Sequence, residues 1–197
     1  MSRAQAAARQ RMSGPARRTQ LLDVAADVVL AGGLADLTME RLAERAGVSK
    51  ALPYSHFESI DHVLVSLYER EGMRLGDFIW SALETASPGA DLVRVHIGSY
   101  FEGLAQAGDV IGRLTTPGST ITARTDTRDA GPKFSARVLH RFHGVPRDKA
   151  KVLGSVVHAA VLGAGNAWCK KLGTRVELED AAAHVLESAI VWGGGRP

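Results

Sequence analysis

Between Thr38 and Phe57 a single glycine, Gly47, separates two short runs of helical character, and this punctuation restricts the fold more than any other feature. Thr38 offers its hydroxyl as an N-cap for a helix with Leu42, Ala43 and Ala46 on its inner side. Gly47 ends that helix, Val48 is suited to burial in the turn, and Ser49 caps a second run from Lys50 to Phe57. A helix predicted from Arg18 precedes them. Its Leu21, Leu22, Ala25, Val28 and Val29 recur at spacings of three and four, and Gly32-Gly33 ends it. Three helices in this order predict a helix-turn-helix, a unit that lays its second helix in the major groove of DNA.

The residue types suit that use. Ser49, Lys50, Ala51 and Leu52, at the start of the second helix, are small or carry a donor, so the backbone can approach base edges. Tyr54, Ser55 and His56 can donate to phosphates, and Thr38 sits at the positive end of its helix. Arg17 and Arg18 are candidates for phosphate or minor-groove contacts. Charge is distributed in the same sense. The first 57 residues hold eight Lys/Arg and five acids, whereas 58–197 hold sixteen of each. All the net positive charge thus lies where a polyanion would bind. Residues 1–17 read as a basic, disordered arm, and Arg41 and Arg45 are either contacts or simply solvated.

The run Leu37-Thr-Met-Glu-Arg-Leu-Ala-Glu-Arg-Ala-Gly-Val-Ser-Lys-Ala-Leu-Pro-Tyr-Ser-His-Phe57 resembles the N-terminal domain of TetR-family regulators, whose pattern is T-x-x-x-I-A-x-x-A-G-V-S-x-x-x-x-Y-x-x-F. The resemblance covers about 18–70. It departs at Pro53, inside the recognition helix, and at Ile60, where the family often has a lysine. The resemblance implies an all-α fold, with a three-helix DNA-binding domain over 18–60 and a helical regulatory domain over 61–197. It also implies a transcriptional regulator, by family habit a ligand-responsive repressor. Such a regulator acts as a homodimer on a palindromic operator in double-stranded DNA.

The rest of the chain predicts further helices over about 59–85, 91–107, 128–143, 147–172 and 177–192, with less regular structure over 108–127. The resemblance pairs the last two helices with their twins in a dimer. Gly154, Ala159, Gly163 and Ala167, with Leu178, Ala182, Val185 and Ala189, are spaced for close helix approach, either to a partner or within one subunit. The resemblance also implies a pocket for a small, largely apolar ligand, for which Trp80, Tyr100, Phe101, Leu104, Phe142 and Trp168 are candidates. His96, His140, His143 and His158 are polar anchors for it or ordinary surface and core residues.

Other classes find little support. His140 and His143 share a helix face, but no cysteine or carboxylate stands near them in a metal-binding spacing, so neither metal nor cofactor is expected. No phosphate loop, nucleophile elbow or triad is evident, so no enzymatic activity is expected. Cys169 is the single cysteine and reads as a core thiol. No run of eighteen uninterrupted apolar residues occurs and the N-terminus lacks an apolar signal core, so a cytoplasmic protein without a membrane partner is expected.

Overall fold

A computed structural model describes residues 12–107, 110–115 and 130–197. Regular structure among the described residues is entirely helical, as the absence of two-residue alternation predicts. The chain divides into two compact units, residues 1–67 and 68–197.

In the first unit, α1 spans Gly14–Gly32. The part of the expected arm before Met12 lies outside the described residues, but Gly14–Arg17 are helical rather than disordered. Ser13 sets this start. Its side chain accepts from the Ala16 amide at 3.4 Å, and Pro15 stands in the first turn, where a missing N–H leaves nothing unpaired. The apolar period locates the helix one turn late because that first turn has no large apolar side chain. At the other end Gly33 adopts φ +87° and donates to the Val29 carbonyl at 2.9 Å.

A 3₁₀ turn, Leu34–Asp36, leads to α2, Met39–Ala46. Thr38 caps α2 by accepting from the Arg41 amide at 3.1 Å. Gly47, at φ +65°, turns the chain, and the Val48 amide reaches back to the Ala43 carbonyl at 3.0 Å.

The segment after Ser49 departs from expectation. It is a turn over 50–52 continued by a 3₁₀ helix, Pro53–Ser55, and not an α-helix. Pro53 has no N–H to return to the Ser49 carbonyl, so that acceptor takes the Leu52 amide at 3.0 Å instead. The tighter pattern then repeats from Ser55 to Leu52 and from His56 to Pro53, each at 3.0 Å. After Ser59, whose hydroxyl accepts from the His62 amide at 3.2 Å, α3 runs Ile60–Glu84. Leu21, Val29, Leu42, Phe57, Val63 and Leu67 form the buried interior of the first unit.

The second unit holds α4 (Leu92–Ala107), α5 (Val110–Leu114), α6 (Ala130–His143), α7 (Arg147–Cys169) and α8 (Arg175–Gly193). Irregular structure was the expectation over 108–127. Instead α5 forms there and buries Val110, Ile111 and Leu114, while the remainder of that stretch lies outside the described residues. Pro132 does not delay α6, because it falls in the first turn. At the head of α8, Thr174 and Glu177 form a reciprocal capping box, with side-chain to backbone bonds of 3.2 and 2.9 Å. The core of this unit includes Ile97, Phe101, Val138, Leu139, Leu186 and Ile190.

Candidate functional site

In the first unit the turn Ser49–Ser55 presents its side chains outward. Thr38, Ser49, Lys50, Ala51, Tyr54 and Ser55 are exposed, with Tyr54 at 55%. Leu52 and His56 are half-buried, and Pro53 and Phe57 point into the core. Closing the turn with i to i+3 bonds holds the outward residues within one short, rigid segment. Two hydroxyls have local duties. Thr38 accepts as the α2 cap, which leaves its proton free to donate. Ser55 gives its proton to the Leu52 carbonyl at 2.7 Å, so in this conformation it presents an acceptor and not the expected phosphate donor.

Arg18 is not an outward-facing contact. Its guanidinium donates to the His56 carbonyl and to the Ser66 hydroxyl, both at 2.7 Å, and lies 4.2 Å from the Phe57 ring centroid. It therefore ties α1 to the end of the 3₁₀ segment and to α3. Sequence reasoning missed this because the two acceptors lie 38 and 48 residues away. Arg17 pairs with Gln20 on the same helix. Arg41 bonds Glu44 at 3.2 Å, and Arg45 is exposed on the last turn of α2.

The second unit contains a cavity of about 790 Å³. Of the six pocket candidates, Trp80 and Tyr100 line it. Phe101 and Leu104 do not, being buried in the core, and Trp168 packs on Phe101 at a centroid distance of 5.6 Å. Phe142 is also off the lining, edge-on to Trp80 at 5.0 Å. Periodicity marks a residue as apolar without saying whether it meets a cavity or a neighbour. The lining adds Tyr68, Leu75, Ile79, Phe134 and Val161, which sequence reasoning did not single out.

Two of the four histidines line the cavity, His96 and His158. Burial pushes the His96 imidazole down to about 3, with nearby His143 adding to the effect, and pushes His158 down as well. His96 Nδ1 is enclosed without a hydrogen-bond partner among the described residues. His143 is buried off the lining, and its titration is also lowered by burial. His140 faces outward. Among the described residues no three His, Cys, Asp or Glu side chains are grouped to hold a metal ion.

The model for bacterial regulatory proteins of the tetR family matches residues 21–67, which contain α1, α2 and the exposed turn. Over this stretch the chain is similar to regulators of the tetR family.

Similarity to individual TetR-like proteins extends over different lengths. The transcriptional activator FasR of Mycolicibacterium smegmatis is 31% identical over 86 residues, 44% of this chain and 39% of FasR. The chain thus matches about two fifths of the length of that curated relative. Among solved structures, a TetR-family regulator from Pectobacterium atrosepticum shares 18% identity with a TM-score of 0.66, covering 91% of this chain and 94% of that one. The fatty acid degradation regulator FadR from Bacillus halodurans shares 18% identity with a TM-score of 0.64, covering 86% and 94% respectively. At these identities the fold is what is shared.

On α7 and α8 the eight candidate interface residues divide. Ala159, Gly163 and Val185 are exposed, and Ala167 and Leu178 are half-buried. Gly154, Ala182 and Ala189 are buried within the subunit and are withdrawn as interface residues. For Gly154 the reason is steric. A Cβ there would lie 2.4 Å from the Pro132 carbonyl oxygen and 2.9 Å from the Ala136 Cβ, so this glycine serves the approach of α7 to α6. Five other apolar side chains on these helices, Val152, Val156, Val176, Val191 and Trp192, are exposed, with Val152 at 65% and Trp192 at 66%.

Proposed function

We propose that this chain is a DNA-binding transcriptional regulator that works as a homodimer and whose affinity for a palindromic operator is set by a small ligand. The observation that carries this reading is the outward turn Ser49–Ser55 inside the TetR-type domain, with Lys50, Ala51 and Tyr54 exposed. Lys50, Ala51 and Leu52 are assigned to base edges, and Thr38, Tyr54 and His56 to phosphates. Arg17 and Arg45 supply nearby positive charge.

The exposed apolar face of α7 and α8 supports the dimer. Val152, Val156, Val185, Val191 and Trp192 would expose a large apolar area in an isolated subunit, and a two-fold partner would cover it. A dimer also brings two reading turns to half-sites about 34 Å apart. The mostly apolar cavity, with His96 and His158 held neutral by burial, suits a largely apolar ligand with hydrogen-bonding groups. Ligand and DNA are coupled if the ligand binds one conformation more tightly. Repression relieved by that ligand is the first reading. Activation is the second, favoured by the relative FasR, an activator.

Titration of the purified protein with duplexes from around its own gene tests the proposal. Binding should fall steeply with salt, as expected when phosphates are neutralised by lysine and arginine. Absence of binding to every fragment at low salt would overturn the regulator reading. Sedimentation equilibrium should find a dimer, and a monomer at micromolar concentration would exclude the homodimer.

A further inference from the structure

The second unit holds sixteen basic and fourteen acidic side chains, and they are unevenly placed. Residues 130–151 contain six basic side chains and one acid, Asp148. Three of them, Arg137, Arg141 and Arg147, converge with His140 on a groove of about 390 Å³ whose apolar floor is formed by Trp80, Ala136 and Ala150. Two other arginines of this unit are neutralised. Arg94 pairs with Asp180, and Arg175 pairs with Glu102 and Glu179. The three groove arginines have no carboxylate within ion-pair distance among the described residues.

These cations are also held in place. Arg147 donates from Nε to His140 Nε2 at 3.2 Å, so that nitrogen must be the acceptor. The His140 proton is then on Nδ1, which donates to the Val145 carbonyl at 2.9 Å. The relay anchors Arg147 to the backbone and leaves both terminal amino groups of its guanidinium unspent. Arg137 lies 5.3 Å from the Trp80 ring centroid and Arg141 lies 5.4 Å from that of Phe142. Stacking of this kind orients a guanidinium without cancelling its charge.

Unneutralised, oriented guanidinium forks beside an apolar floor have a definite complement. We propose that this groove binds an organic phosphate, with the phosphate oxygens on Arg137, Arg141 and Arg147 and the apolar or planar body against Trp80. Three forks offer more charge and more donors than one carboxylate can use, whereas a phosphate dianion has three equivalent acceptor oxygens. The groove is a second ligand site. It neighbours the cavity through Trp80 and Arg137, which line both.

Isothermal titration calorimetry on the full chain at low ionic strength tests this with four probes: 1-naphthyl phosphate, 1-naphthol, 1-naphthoate and inorganic phosphate. The naphthyl phosphate should bind at least about tenfold more tightly than each of the others and weaken as salt is raised. The double variant Arg141→Gln/Arg147→Gln, altered only at exposed positions, should lose at least about tenfold in that affinity, while Arg45→Gln in the first unit leaves it unchanged. Equal binding of the naphthol or the naphthoate overturns the phosphate assignment. So does a double variant that melts like the parent and keeps full affinity. If naphthyl phosphate binds no better than inorganic phosphate and duplex DNA displaces both, the arginines serve a nucleic-acid backbone and the proposal fails.

Discussion

The Arg18 guanidinium lies 4.2 Å from the centre of the Phe57 ring and shares its N–H donors between the His56 carbonyl and the Ser66 hydroxyl. One side chain thus ties the end of the 3₁₀ segment to α1 and to α3. Hydrogen bonds to a charged group contribute about 1.5–3 kcal/mol each, and the ring contact adds about 1 kcal/mol when partly desolvated. Because these contributions are not additive, Arg18→Ala should cost about 2–4 kcal/mol in urea unfolding followed by a probe in the first unit. Arg18→Lys should recover less than half, since an ammonium cannot reproduce the fork. A loss below about 0.5 kcal/mol would show that the contact is incidental.

Tyr54 and Lys50 should separate positioning from reading. Tyr54→Ala removes an exposed hydroxyl and should weaken binding by roughly fivefold on every duplex, the equivalent of one hydrogen bond of about 1 kcal/mol. Changes at Lys50 or Leu52 should instead alter the ranking among duplexes. Fluorescence anisotropy against a panel of operator variants measures both. An unchanged affinity for Tyr54→Ala would remove that residue from the phosphate contacts.

Burial of His96 makes stability depend on pH. In the folded chain its imidazole titrates near 3, against 6.5 when unfolded. Its neutral form is therefore matched in both states above about pH 6.5, where its contribution is fully present. Below that pH the unfolded chain takes up the proton first, and stability is lost as pH falls toward 3. From pH 7 to pH 5 this one group should cost about 2 kcal/mol. His143 and His158 act in the same direction, since both are lowered by burial. Urea midpoints across this range should fall with acid and fall less steeply in His96→Gln. Identical slopes would place the titrating groups elsewhere.

Gly154 tests the contact between α6 and α7. Alanine would favour the helix by about 1 kcal/mol, but its Cβ would overlap the Pro132 carbonyl oxygen at 2.4 Å. That neighbour is backbone and cannot rotate away, so overpacking of about 2–4 kcal/mol should prevail. Gly154→Ala should therefore lower the melting temperature. Gly163→Ala, with nothing within 4 Å among the described residues, should hold or raise it. A stabilised Gly154→Ala would mean that the two helices can move apart at little cost.

Local signals proved legible where they act over a few residues. Thr38 and Gly47 mark the bounds of α2 because a cap and a left-handed turn each depend on a single residue's chemistry. Pro53 was visible too, but its effect was underestimated: one absent N–H changes the Ser49–Ser55 segment from α-helix to a turn and 3₁₀ helix. The cavity was legible only in part. Trp80 and Tyr100 were found, yet the same criterion selected Phe101 and Leu104, which fill the core.

By itself, then, the sequence determined the all-helical class, the bounds of α2 and the presence of the Gly47 turn, since caps, periods and breakers are local properties of the chain. Tertiary structure decided what each side chain faces. It set Arg18 against Phe57 instead of leaving it open to solvent, put Gly154 beneath Pro132, and brought Arg137, Arg141 and Arg147 around Trp80. Those outcomes depend on residues distant in the chain meeting as helices pack, and periodicity along one helix carries no record of its neighbour.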